Sequence, residues 1–390
     1  MHHASTTTSF YSARILLLVG LADTLHPQRL AARLAFAEEL QAQGHQVTLL
    51  VRANRRLNLS PSLPLVLHTY GSPFTAGRRA AEFTAEEVTA GRQALRRLTE
   101  EKTFDLVHVF GVHAASSIVR PELAQSALPW VVHVEDDELR SCLGRRVFHE
   151  PFVDTLNSAF GITTSSQLGQ SLVRDWAHRS STVLPTATEP CRQQLVNLSK
   201  SVVPMMFIRI LGNERGQLER ALRLVASLQR ESAVLAQIYA PGFAVGEVER
   251  LAVTLGARLR VHSRLSERLE ETLLRYSALY LQINDGEDAQ QIESNLLQAL
   301  RFRAAVITTR SPLASGLVRH METGLVLDEH NEQAWLMSAR FMLEFPERRR
   351  SLAERGGQFA KWYLDAHRIA HEATAAYAFY IDWAQRHLVA

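Results

Sequence analysis

The chain has 390 residues, of which 46% are hydrophobic and 21% charged, with a formal net charge of +3. This length suggests two domains, and the composition is that of an ordinary globular protein. Because basic and acidic residues are interspersed, local arginine clusters are expected on solvated helix faces, which argues against a nucleic-acid partner. Contact with an anionic membrane surface stays open.

The cysteines and the N-terminal sequence indicate the cellular compartment of the protein. Cys142 and Cys191 form no CxxC motif and imply no disulfide framework. The first dozen residues lack the apolar run of a signal peptide, and the apolar stretch from Ile15 to Ala22 is too short to span a membrane. We therefore expect a cytoplasmic protein, and contact with the inner face of the membrane remains an alternative.

Strands alternate with helices from the start of the chain. Residues 14–20 form an almost unbroken apolar run, as expected of a parallel strand buried on both faces. A helix predicted over residues 27–43 ends at Gly44 and leads to a strand over residues 46–51, which completes a βαβ unit. Further strands are predicted at residues 105–110, 130–134, 161–164 and 182–184.

A second alternation begins near Pro204, after a proline-interrupted segment that starts at Pro185. A strand over residues 205–211 precedes a helix over residues 216–229. Further strands are predicted at residues 234–239, 259–261, 279–283 and 305–308. Residues 332–387 are predicted to be nearly all helical, with one apolar stripe from Phe359 to Ala373. The predicted fold class is α/β, with two Rossmann-like domains facing a central cleft where a ligand binds.

The order and spacing of several phrases resemble those of family-4 glycosyltransferases of the GT-B fold. The phrases are RILLLVG, LAFAEELQAQGHQVTLLVR, FDLVHVFGVHA, LPWVVHV and AFGITTSSQLGQSLV in the first half, and ILGNERGQLERALRLVASL, LLRYSALYLQIN, LLQALRFRAAVITT and ETGLVLDEHN in the second. The resemblance implies an acceptor-side domain over residues 1–190, a nucleotide-sugar-side domain over residues 191–370, and a C-terminal helix over residues 371–390 that crosses back to the first domain. It also implies transfer with retention at the anomeric carbon.

The resemblance also indicates which residues hold the donor's diphosphate. Negative charge grows on the leaving phosphate, and arginine or lysine stabilises that charge together with the N–H groups of a helix N-terminus. Arg209 and Arg215 stand where the family has an arginine and a lysine, although the spacing between them is one residue longer. The alternative is that both are surface arginines.

The donor-site motif itself is altered. The family has two glutamates eight positions apart, which take hydroxyl groups of the donor, and here both positions are glutamine, Gln290 and Gln298. Gln298 matches the ribose position and can still accept a hydrogen bond, whereas Gln290 matches the catalytic sugar position without its charge. Glu293 replaces a glycine and repels phosphate if it points inward; the alternative is that it faces solvent. Gly20 is the one glycine left of the glycine-rich loop expected after the first strand.

On the acceptor side, Glu135 stands where the family has a histidine and opens the acidic run of residues 135–138. Consecutive carboxylates point in different directions, which disfavours a metal site. Glu135 or Asp136 is the candidate for an acceptor-side base, because a strand's carboxyl end faces the cleft. No cofactor and no metal are expected, and the nucleotide sugar is the substrate.

Two hypotheses follow. The first is a working, retaining glycosyltransferase that transfers a sugar from a nucleotide-sugar donor to a glycan, lipid or protein. The second is a catalytically inactive relative that serves as a partner-binding or regulatory subunit of a glycosylation complex. The scaffold phrases survive while the polar site positions differ, and this pattern is compatible with both hypotheses.

Overall fold

The computed structural model describes residues 12–20, 27–53, 65–71, 84–135, 138–139, 146–186, 203–284 and 289–388. The chain divides into two compact units. Unit 1 consists of Met1–Glu189 and Leu364–Ala390, and unit 2 consists of Pro190–Tyr363. The closing segment therefore joins unit 1 from Leu364 onwards, rather than from residue 371.

Unit 1 contains a seven-stranded sheet in the order β3-β2-β1-β4-β5-β6-β7. Its strands are β1 (Arg14–Val19), β2 (Gln46–Arg52), β3 (Val66–Tyr70), β4 (Leu106–Phe110), β5 (Trp130–Val134), β6 (Gly161–Thr164) and β7 (Thr182–Val183). Every strand pair is parallel. The strand order reverses between β1 and β4, the switch point at which open α/β sheets bind ligands.

Helices connect these strands and cover the sheet. They are α1 (Pro27–Ala42), α2 (Ala85–Glu101), α3 (Val112–Ala114), a π-helical turn at Ala115–Val119, α4 (Arg120–Leu123), α5 (Arg146–Ser158) and α6 (Gln167–Ala177). Because helices lie over both faces, β1, β2, β4 and β5 are buried along almost their whole lengths.

Unit 2 contains a six-stranded parallel sheet in the order β10-β9-β8-β11-β12-β13. Its strands are β8 (Met205–Leu211), β9 (Leu235–Tyr239), β10 (Leu259–His262), β11 (Ser277–Asn284), β12 (Ala305–Thr309) and β13 (Leu325–Leu327). Its helices are α7 (Arg215–Glu231), α8 (Val245–Leu255), α9 (Glu267–Tyr276), α10 (Ala289–Arg301), α11 (Pro312–Leu317), α12 (Glu332–Glu344) and α13 (Pro346–Tyr363). One core cluster joins the sheet to α7, α8 and α12, and a second joins its other face to α9, α10 and α11.

The last helix, α14 (Ala366–Leu388), belongs to unit 1. Ile369 and Tyr377 lie in the same core cluster as Leu40 of α1. The single apolar stripe predicted from the sequence is therefore wrong, because the helix breaks after Tyr363 and the two parts enter different cores. Trp362, predicted in that stripe, is 57% exposed.

The predicted α/β fold class with two parallel sheets is confirmed, and every predicted strand is present. Two strands, β3 and β13, were not predicted. No helix within the described ranges is long and apolar enough to cross a membrane.

Candidate functional site

The switch point of unit 2 lies between the carboxyl ends of β8 and β11. Gly212 follows β8 with a φ of 121°, a conformation that favours glycine. A Cβ atom on Gly242 would collide with the carbonyl oxygen of Gly212, so two backbone segments pass here without room for a side chain. The chain then enters α7 at Arg215.

The N-terminus of α7 has no side-chain cap among the described residues. Its N-cap residue, Glu214, makes no side-chain capping bond, and the first turn contains no acidic residue. The side chain of Arg215 is 68% exposed and pairs with Glu219 at 3.1 Å on the outside of the helix. An uncapped helix N-terminus with an exposed arginine is a typical site for phosphate.

Arg209 lies in a different environment. It is on β8, on the face covered by α9, and donates a 2.6 Å hydrogen bond to Glu270. Its side chain is 5% exposed, and its guanidinium lies 5.6 Å from the ring centroid of Tyr239. The structure therefore does not place Arg209 beside Arg215, because α7 packs on the opposite face of the sheet.

The altered motif lies on α10. Glu293 is buried, with 6% of its surface exposed, so the alternative in which it faces solvent is wrong. Gln298 is half-buried on the same helix. The backbone of Gln290 is part of the first turn of α10, but its side chain lies outside what the structure describes.

Gly20 sits at the switch point of unit 1. Its backbone N–H donates a 3.0 Å hydrogen bond to the carbonyl oxygen of Phe110, and a Cβ atom would collide with that same oxygen. Glycine is required here because the ends of β1 and β4 approach closely. Its predicted contact with the donor stays a prediction.

Glu135 follows β5 and is buried in an ion pair with Arg33 of α1. It also accepts a 3.0 Å hydrogen bond from the Thr186 hydroxyl and lies 3.4 Å from Nε2 of His133. Burial alone would raise the pKa of Glu135, but Arg33 and His133 hold this pKa well below its ordinary value. A carboxylate stabilised in this way is a weak base, which argues against the predicted catalytic role. Asp136, the other candidate base, lies outside the described residues.

A buried chain of hydrogen bonds continues from this ion pair to α14. His133 Nδ1 lies 2.9 Å from the Thr163 hydroxyl, which lies 3.2 Å from Nε2 of His108. His108 Nδ1 in turn lies 2.5 Å from the hydroxyl of Tyr377. Burial, together with His133 and Arg33, lowers the pKa of His108 well below its ordinary value, and burial raises that of Tyr377. Both histidines are therefore hydrogen-bonded core residues.

Sequence reasoning missed three polar residues at these two switch points: Arg33, Glu270 and Asn284. Arg33 and Glu135 are 102 positions apart, and Arg209 and Glu270 are 61 apart, so no local pattern could indicate either pair. Asn284 could have been noticed, because it ends a buried strand directly before the altered motif. Among the described residues, no three histidine, cysteine, aspartate or glutamate side chains are placed to hold a metal ion, and the metal-free site stays a prediction.

Comparison with known proteins identifies the class to which this fold belongs. Residues 31–206 match the model of the glycosyl transferase 4-like domain. Sucrose-phosphate synthase from Thermosynechococcus elongatus has 14% identity and a TM-score of 0.59, with 94% of this chain and 98% of that one covered. A glycosyltransferase from Rickettsia africae has 10% identity and a TM-score of 0.61, with 95% and 99% covered. Anabaena HepE, solved with UDP and glucose, has 14% identity and a TM-score of 0.56, with 94% and 99% covered.

No curated protein sequence matches this chain. At such low identities the structural likeness establishes the fold. The protein has the GT-B fold of glycosyltransferases, and the resemblance inferred from its sequence is confirmed.

Proposed function

We propose that unit 2 binds a nucleotide sugar, and that the protein transfers the sugar, with retention at the anomeric carbon, to a glycan, lipid or protein acceptor. The observation that carries the proposal is the uncapped N-terminus of α7. It combines an exposed Arg215, a first turn without carboxylates and the close backbone passage at Gly212.

These features suit a diphosphate for electrostatic reasons. The unpaired N–H groups and the dipole of a 17-residue helix favour an anion at this end. The forked guanidinium of Arg215 can bind phosphate oxygens with two hydrogen bonds and stabilise the charge that develops on the leaving phosphate. The ion pair with Glu219 does not prevent Arg215 from binding phosphate, because exposed ion pairs between residues i and i+4 are weak.

The known structures suggest which donor to test first. HepE was solved with UDP and with UDP-glucose, and a trehalose-phosphate enzyme from E. coli was solved with a fluorinated UDP-glucose. Uridine nucleotides are therefore the first probes, with guanosine, adenosine and thymidine diphosphates and their glucose conjugates beside them.

Calorimetric titration tests donor binding. We expect at least one of these nucleotides to bind the wild-type chain with a dissociation constant below about 1 mM. Arg215→Ala should weaken this binding about 10-fold or more, as expected for the loss of charge-assisted hydrogen bonds. Arg223→Ala is the matched control, because Arg223 lies on the same helix, is exposed and also pairs with Glu219. Equal affinities of the two variants would contradict the role assigned to Arg215.

A second candidate function has support in unit 1. Glu135 is held in a buried pair with Arg33 and is not available as a base, as expected of a regulatory relative without catalysis. The two candidates differ in turnover. A transferase releases the nucleoside diphosphate from the bound donor, at least slowly with water as the acceptor, and NMR shows the same anomeric configuration in product and donor. Binding without any release of diphosphate would favour the regulatory function.

A further inference from the structure

Polar side chains gather on the α10 face of the unit 2 sheet, near the carboxyl ends of its central strands. On β11, Gln282 pairs with Arg209 of β8, and Asn284 lies two positions further along. Alternate residues of a strand share a face, so Asn284 and Arg209 lie on the same face of neighbouring strands. Glu270 of α9 approaches that face and accepts the hydrogen bond of Arg209.

Two N–H donors in this group are buried and have no acceptor among the described residues. Asn284 is 3% exposed and Arg209 is 4% exposed. Within the part of the chain that the structure describes, neither Nδ2 of Asn284 nor Nε of Arg209 has a hydrogen-bond partner. Folded proteins rarely leave buried donors unpaired, because each then loses its water without compensation. Two such donors on adjacent strands indicate a ligand that supplies acceptor atoms.

The neighbouring carboxylate narrows the chemistry of that ligand. Glu270 uses Oε1 for Arg209, at 2.6 Å, and its side chain keeps 18% of its surface exposed. A carboxylate has further lone pairs and can accept from a ligand donor. A hydroxyl group both accepts and donates, so it suits N–H groups and a carboxylate together. A phosphate fits less well, because Glu270 already neutralises the positive charge of Arg209 and adds a carboxylate beside the site.

We propose that Arg209, Glu270 and Asn284 form a subsite for hydroxyl groups of the nucleotide-sugar donor, from its ribose or its sugar. In this subsite the ligand oxygens accept from Arg209 and Asn284, and a ligand hydroxyl donates to Glu270. Glu270 thereby supplies a carboxylate for the donor's hydroxyls, which the glutamines of the altered motif do not. The inference rests on the proposed binding of the donor by unit 2, and it changes the predicted partner of Arg209 from diphosphate to hydroxyl.

Calorimetry with UDP, 2′-deoxy-UDP and UDP-glucose tests the subsite. If the ribose occupies it, wild-type protein prefers UDP over 2′-deoxy-UDP by about 10-fold or more, and Glu270→Gln removes most of that preference. If the sugar occupies it, Glu270→Gln instead removes the preference for UDP-glucose over UDP. If both preferences survive in Glu270→Gln, the subsite is contradicted. If the wild type binds none of the three nor any other nucleotide, the proposed function is contradicted, and the subsite with it.

The variant Asn284→Ala distinguishes a role of Asn284 in binding the ligand from a role in stabilising the fold. The substitution removes an unpaired buried N–H, so the thermal stability of the free protein should stay equal or rise, while affinity for the preferred nucleotide falls about 10-fold. Gln237→Ala is the matched control on the same sheet, because Gln237 is satisfied by His262 and Met205. It should lower stability and leave the nucleotide preference unchanged. Loss of stability in Asn284→Ala with unchanged affinity would overturn the proposal.

Discussion

At the scale of single residues, Arg33 and Glu135 show how burial changes the chemistry that a sequence suggests. Both side chains are at most 10% exposed, and the guanidinium also lies 4.2 Å from the ring centroid of Phe110. A buried ion pair often does no more for stability than an apolar pair of similar volume. Its contribution here is a fixed position for the guanidinium at the carboxyl edge of the sheet.

Replacing only one partner of this ion pair should therefore lower the stability of unit 1 more than replacing both partners. Glu135→Ala leaves a buried guanidinium without its counter-ion and should destabilise unit 1 by about 3–5 kcal/mol. The double variant Arg33→Met with Glu135→Leu should recover most of that loss. Urea unfolding of the single and double variants measures the difference. A double variant no more stable than Glu135→Ala would contradict this account.

The position of a residue could be predicted from the sequence where a single helix or strand determines it. Arg215 at a helix start and Glu135 after a strand could be placed from the local pattern, and both lie where that pattern puts them. Their electrostatic partners could not be predicted. Arg33 and Glu270 reach their positions only when distant segments fold together, and this pairing decides whether Glu135 and Arg209 carry an uncompensated charge.

At the scale of elements, the strands with largely apolar runs, such as β1, β4 and β12, were predicted and are buried along almost their whole lengths. Short, nearly continuous apolar runs between turn signals are typical of buried parallel strands. The missed strand β3 lies at the edge of its sheet, and most of its residues are partly or fully exposed, so its sequence carries a mixed pattern. The missed strand β13 has only three residues and also lies at the edge of its sheet.

The contact between β4 and α14 gives a prediction about pH. The pKa of His108 is lowered in the folded protein, whereas an unfolded histidine has a pKa near 6.5. Below about pH 6.5 the unfolded chain takes up a proton that the folded chain excludes, so stability falls as the pH decreases towards the folded pKa. The slope is at most about 1.4 kcal/mol per pH unit from this one group.

Hydrogen exchange of α14 can measure this slope, because the exchange of its amides reports local opening. We expect wild-type α14 to lose protection between about pH 6.5 and 5, after correction for intrinsic exchange. His108→Gln should flatten the pH dependence, even if it lowers stability at every pH. A slope unchanged by that substitution would show that another group is responsible.

At the scale of the whole molecule, the two units differ in the number of chain segments that form them. Unit 2 is one continuous stretch, whereas unit 1 needs the segment from Leu364 onwards to complete its core. The helical state of this segment was predicted from its sequence, and its return to the first domain from the family resemblance. Its apolar stripe was placed wrongly because residues on both sides of the break at residues 364–365 are apolar. Amphipathic spacing does not reveal which core a helix enters.

This difference predicts the behaviour of two truncations. A chain that ends at residue 363 loses Ile369, Tyr377 and Ile381 from the unit 1 core, at about 1.5–3 kcal/mol for each side chain. That loss is comparable to the whole stability of an ordinary domain, so unit 1 should fail to unfold cooperatively. A fragment of residues 203–363 should keep a cooperative transition. Calorimetric unfolding compares the two, and a cooperative unit 1 transition in the truncated chain would contradict the assignment.

The central claim is that the start of α7 in unit 2 holds the diphosphate of a nucleotide sugar. Hydrogen–deuterium exchange of the full chain, with and without saturating UDP-glucose or whichever nucleotide sugar binds best in calorimetry, tests it most directly. We expect slower exchange at residues 212–218 when the nucleotide sugar is bound, and loss of that protection in Arg215→Ala but not in Arg223→Ala. Unchanged exchange at residues 212–218 while the nucleotide sugar is bound would contradict it.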